Sequence, residues 1–184
     1  VDGDIRIPRA RVQPLIQHEI GTHVVTRHNG ARQALRQLEV GLAHYDALQE
    51  GIAVLAEYLA GALGANRLRT LAGRVVAGNA LRKGADFDEM FELLHDNHGF
   101  SADRAFNITS RMFQGGGFLK DIVYLKGLLE LRGYLSQGGA LEPLLAGKFA
   151  LKHLATVKDL TGRDLLYAPK IMPRYMLNAS CTER

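Results

Sequence analysis

"IQHEIGTHVVTRHNG", residues 16–30, decides how the rest of the chain is read. With the residues just before it, the run places Val12, Leu15, Ile16, Ile20 and Val24 at helical spacing, in steps of three, one, four and four. That period predicts a helix. Pro14 fits if the helix starts near Gln13 with the proline in its first turn, and Asn29-Gly30 is a stop signal. The same run carries His18, Glu19, His23 and His28. Zinc-binding helices of the His-Glu-x-x-His type hold two histidines four residues apart. Here the spacing is five. A straight α-helix turns about 100° per residue, so histidines five apart diverge by about 140° and point to different faces. They share one ion only if the helix is locally widened by one residue, as in a π-bulge. Gly21-Thr22 is the expected place, because glycine tolerates unusual backbone geometry and threonine can bond back to helix carbonyls.

Outward from this run the pattern stays helical. Residues 3–7, "GDIRI", alternate and predict a short strand. Residues 29–45 read as a loop with one helical turn at most. Asp46 is the predicted cap of "DALQEGIAVLAEYLAGAL", which Gly64 ends. Further helices are predicted at about 65–83, 86–98, 101–114, 118–136, 140–147 and 150–161. A break falls at the triple glycine 115–117, and the tail from Tyr167 reads as irregular. The fold class is therefore mainly α, with a short N-terminal strand at most.

Composition narrows the function classes. At 184 residues the chain is long enough for a single helical domain with its own core. Its longest apolar stretch, Gly51 to Gly64, is interrupted by Glu57 and falls short of the roughly 18 residues a membrane helix needs. The start is polar and lacks both a Met and a signal-peptide core, which reads as a fragment missing an N-terminal region. One cysteine, Cys181, allows no internal disulfide and favours a reducing, cytoplasmic setting. The formal charge is +4, but Lys and Arg are scattered without a block of like charge. No nucleic-acid footprint and no membrane partner are expected.

The chemistry centres on the histidines. Catalytic zinc takes three protein ligands and keeps one open position. With His18 and His23 as two, Glu50 in "LQEGIAVLAEYL" is a candidate third, if its helix packs against the first; His28 and His44 are rivals. Glu57, two turns beyond Glu50 on the same face, either orients a histidine or is simply solvated. Glu19 is the candidate general base, taking a proton from the attacking water and passing it to the leaving amine. His95 and His98 sit near a helix C-terminus, where histidine is favoured without a metal. The triple glycine lacks the ending of a nucleotide-binding loop and reads as a loop near the cleft.

"LIQHEIGTH", then "LQEGIAVLAEYL", then "SRMFQGGGFLKDIVYLKGLLEL" at 110–131 stand in order along the chain. Together they resemble the family labelled by a QEGLA motif, the microtubule-associated tyrosine carboxypeptidases, zinc enzymes that remove the C-terminal tyrosine of α-tubulin. Here the motif reads Gln49-Glu50-Gly51-Ile52-Ala53, with Ile in the Leu position. The resemblance implies Zn2+ as cofactor, His18, His23 and Glu50 as its ligands and Glu19 as the catalytic glutamate. It implies a peptide or protein C-terminus as substrate, with an aromatic (Tyr or Phe) residue removed. Within the third motif, Arg111, Lys120 and Tyr124 are candidates to hold the substrate carboxylate or the developing oxyanion. A competing reading is a metal-stabilised regulatory or interaction module without turnover; a fourth protein ligand would mark it.

Overall fold

The computed structural model describes residues 6–114 and 120–177, apart from the side chain of Lys120. It is mainly α, and no strand forms among the described residues. Residues 6 and 7 of the predicted strand are irregular; residues 3–5, the triple glycine 115–117 and Cys181 lie outside the described residues.

The chain divides into two compact units, Val1–Leu63 with Gly127–Arg184, and Gly64–Lys126. The first unit begins with helix α1 (Arg9–His18), a π-helical segment (Glu19–Val24) and helix α2 (Val25–Ala31). The residues at both junctions keep right-handed helical dihedrals, so the three form one uninterrupted rod. Two expectations are corrected here. The helix starts at Arg9, four residues before Gln13, and Pro14 lies inside it. Asn29-Gly30 does not stop it, because both residues are buried and used for packing. The Asn29 amide donates to the carbonyls of Leu145 (3.0 Å) and Ile171 (2.9 Å), and its oxygen accepts from the Ile171 amide (3.0 Å). A Cβ on Gly30 would meet the Leu38 backbone, 2.6 Å from its carbonyl carbon.

The apolar period of this rod faces outward. Val12, Leu15, Ile16, Ile20 and Val24 are all exposed, the last two by 54% and 56%. The buried face is instead Pro14, His18, Gly21, Thr22, Val25, Thr26 and Asn29, largely polar. Polar groups are tolerated inside only with partners, and for His18 and Thr26 these come from helix α4, described next.

After the one-turn helix α3 (Gln37–Val40), α4 runs Tyr45–Leu59. Its cap position is His44, in the left-handed region at φ 65°, rather than Asp46, which falls in the first turn. Asp46 still favours the helix there through the positive end of its dipole. The helix ends on Gly61 (φ 75°), three residues before Gly64. The amide of Gly61 donates to Tyr58 O (2.8 Å) and that of Ala62 to Glu57 O (3.0 Å), the paired bonds of a glycine-terminated helix.

The core of this unit gathers Leu38, Ile52, Leu131, Leu144, Leu145 and Phe149, each at most 1% exposed. It is completed by the Gly127–Ser136 part of helix α8 (Lys120–Ser136) and by helix α9 (Leu154–Gly162). Among the described residues from Tyr167 to Leu177 the chain is irregular except for helix α10 (Arg174–Leu177). The Gly64–Lys126 unit contains helices α5 (Ala65–Arg82), α6 (Phe87–Glu92) and α7 (Ala102–Phe113). Helix α6 opens on a reciprocal cap in which Asp86 accepts from the Glu89 amide (2.9 Å) and Glu89 accepts from the Asp86 amide (3.0 Å). The second core forms around Met90, Leu94, Ile108 and Met112.

Candidate metal centre

The widened turn forms where the spacing requires it. Glu19–Val24 is π-helical, and the His18 and His23 rings lie edge to face with centroids 5.3 Å apart. The extra residue has shared out the 140° divergence of a regular helix. Thr22 donates its hydroxyl to the Gln17 carbonyl, five residues back, at 3.2 Å. Gly21 serves space more than backbone freedom: a Cβ there would lie 2.7 Å from Gln17 Oε1 and 3.3 Å from the Tyr175 ring. Tyr175 seals this turn, its hydroxyl 3.4 Å from that of Thr22. Burial pushes its phenol up to about 12. No signal in the sequence pointed to Tyr175, which is 153 residues from Thr22.

Helix α4 supplies the other side. Thr26 donates to the Gln49 side-chain oxygen at 2.7 Å and so ties α2 to α4. The next residue, Glu50, places Oε2 3.4 Å from His18 Nε2 and 3.6 Å from His23 Nε2. Ligands 2.0–2.1 Å from a tetrahedral ion stand about 3.3 Å apart, so these separations are close to the edges of a tetrahedron. Oε2 is buried and has no hydrogen-bond partner of good geometry, a costly state that a cation would relieve. The donor atoms of His18, His23 and Glu50 all lie within 4.8 Å of one another. This donor set, two imidazoles and a carboxylate, suits a catalytic zinc or similar ion.

Glu57 is not a solvated helix residue. It is 5% exposed, and its Oε1 is 2.8 Å from His18 Nδ1. His18 therefore has one ring nitrogen toward Glu50 and the other held by a carboxylate, the arrangement that fixes the tautomer of a metal-ligating histidine. Burial alone would lower the His18 pKa, but Glu50 and Glu57 outweigh it and raise it to about 9. Burial would likewise raise Glu50, and the two histidines instead hold it down to about 2. The His18 ring is thus flanked by carboxylates at both of its nitrogens. The rivals His28 and His44 are both exposed and outside the cluster. Glu19 follows His18 directly and is exposed.

Residues 1–183 match the family model described as microtubule-associated tyrosine carboxypeptidase. The chain belongs to the microtubule-associated tyrosine carboxypeptidase family. A carboxypeptidase-like function comes with that membership. No curated protein and no solved structure matches the chain.

In this member of the family the remaining predicted residues fall in the Gly64–Lys126 unit. Arg111 is bound to buried Asp121, Nε to Oδ2 at 2.7 Å, and Arg74 reaches the other oxygen of the same carboxylate at 3.2 Å. Tyr124 is half-buried on α8, and the Lys120 side chain lies outside the described residues. His95 donates through Nδ1 to the Phe100 carbonyl (2.7 Å), a structural contact within a second π-helical segment, Leu93–Asn97. Among the described residues no helix is long and apolar enough to cross a membrane.

Proposed function

We propose that the protein is a zinc-dependent carboxypeptidase that removes a C-terminal aromatic residue, Tyr or Phe, from a peptide or protein. The observation that carries the reading is the buried, partnerless Glu50 oxygen set at ligand spacing from two histidines. His18, His23 and Glu50 would hold the ion. Zinc, when bound, supplies a Lewis acid that polarises the scissile carbonyl and acidifies a water. Glu57 keeps the Nδ1 proton of His18, so that Nε2 presents its lone pair. Glu19, exposed beside the cluster, takes the proton from the attacking water and hands it to the leaving amine. Arg111, Lys120 and Tyr124 are the groups assigned to the substrate carboxylate and the developing oxyanion. The exposed Ile20 and Val24, each next in sequence to Glu19 or His23, give that helix an apolar outer face that suits an aromatic side chain.

Three donors rather than four meet at the site among the described residues, which supports turnover over a closed structural site. Glu19→Gln tests the reading directly. Zinc binding is expected to persist, while hydrolysis of peptides ending in Tyr or Phe is lost. Cleavage at the wild-type rate would remove Glu19 from the mechanism, and a purified chain that takes up no zinc would remove the centre itself.

A further inference from the structure

Three arginines of the Gly64–Lys126 unit converge on one pocket of about 100 Å³. Thr70 and Arg74 stand one turn apart on α5. Arg104, Asn107, Ile108 and Arg111 recur at three- and four-residue steps on α7, which places them on one face. Fully buried Asp121 braces two of the arginines, taking Nε of Arg111 on one oxygen and Nη1 of Arg74 on the other. One carboxylate against two guanidinium groups leaves a positive charge over. Arg104 adds another, since its contact is with a neutral group, Asn66 Oδ1 at 3.4 Å.

The cluster has unused donors. Arg74 Nε is buried without a hydrogen-bond partner, whereas buried polar atoms are nearly always paired. Burial lowers the Arg74 pKa against the pull of Asp121, and nearby Arg111 and Arg67 lower it further, so its charge is under-compensated. Arg111 commits Nε to Asp121 and leaves its forked end half in solvent. The Asn107 amide gives one proton to the Asp103 carbonyl and keeps a second. The unmet demand is for negative charge carried on oxygen.

We propose that this pocket binds one oxyanion, a carboxylate or phosphate group, on Arg104 and Arg111 with Asn107 beside them. Paired guanidinium forks match such groups in geometry as well as charge. All the lining residues belong to the Gly64–Lys126 unit, and zinc titration of the His18, His23 and Glu50 cluster should not depend on the pocket.

The test uses the full chain and two probes, inorganic phosphate and acetate, followed through the NMR signals of the Arg74 and Arg111 Nε–H groups. Saturable one-to-one shifts are expected. Saturation by phosphate alone assigns a phosphate ligand, and saturation by acetate as well assigns a carboxylate. Arg104→Gln, an exposed position, should weaken binding by at least about tenfold, the loss of one charge-assisted bond. Its unfolding midpoint and zinc uptake should match wild type. No saturable shift with either probe, or an Arg104→Gln protein that binds as wild type does, would overturn the site.

Discussion

Gly51→Ala probes how Glu50, the proposed third metal ligand, is positioned. Gly51 follows Glu50 on α4 and faces Gly127 on α8. A Cβ added there would lie 2.5 Å from both the carbonyl carbon and oxygen of Gly127 and 3.0 Å from the Leu128 amide nitrogen. An ordinary contact begins at 3.4 Å, so the shortfall is 3.4 less 2.5, about 0.9 Å. The opposing atoms are all backbone, so no side chain can swing away, and the helices must separate or rotate. Overpacking of this kind costs about 1–3 kcal/mol. Glu50 rides on the displaced helix. Its Oε2 now stands 3.4 and 3.6 Å from the two histidine nitrogens, and a shift near 0.9 Å in any direction takes it off ligand spacing. Misplacement by about 1 Å at a reacting centre can cost about 100-fold in rate. Urea unfolding reads the first effect; zinc titration and kcat/KM on a peptide ending in Tyr read the second. Gly133→Ala on α8 is the control. Nothing lies within 4 Å of its added Cβ, so that variant should be neutral or gain about 0.5–1 kcal/mol from helix propensity. A Gly51→Ala protein with wild-type unfolding midpoint and zinc affinity would refute the reasoning.

Three other outcomes follow from the same structure. Glu57→Gln and Glu57→Ala should weaken zinc binding by about 10–100-fold, as loss of a carboxylate behind a ligating histidine does; unchanged affinity in both, measured by competition with a chelating dye, would leave Glu57 a packing residue. Asn29→Ala strips a partner from the buried Leu145 carbonyl and another from that of exposed Ile171, so a loss of about 1–3 kcal/mol is expected in chemical denaturation, and a change within error would show that the tail does not depend on this amide. In metal-free protein His18 reaches a pKa of about 9 despite burial, under the pull of Glu50 and Glu57. A raised folded-state value stabilises fully below the unfolded pKa of about 6.5 and less as pH rises through about 9. The urea midpoint of chelator-treated protein should therefore fall between those values, and His18→Gln should flatten that fall; a midpoint that rises there contradicts the raised His18 pKa.

The helical class and most helix positions were legible in the sequence, because these depend on local period. The sequence also determined the widened turn. Two histidines five apart cannot share an ion on a regular helix, and that constraint is a matter of angles alone. What it misplaced were features whose meaning depends on distant partners. Asn29-Gly30 has the composition of a turn, yet Asn29 bonds to residues more than a hundred positions away and Gly30 fits against the Leu38 backbone. The outward apolar stripe of the first rod reversed the usual inference from period to core, because the inner face carries the buried polar residues His18, Thr22, Thr26 and Asn29 with their distant partners. Spacing left His28 and His44 as rivals to Glu50, which the resemblance favoured; the tertiary structure shows that Glu50 meets the histidines, that Glu57 stands behind His18, and that Tyr175 closes the turn. Those choices rest on where α4 and α10 are packed, and the spacing of residues along the sequence carries no information about that.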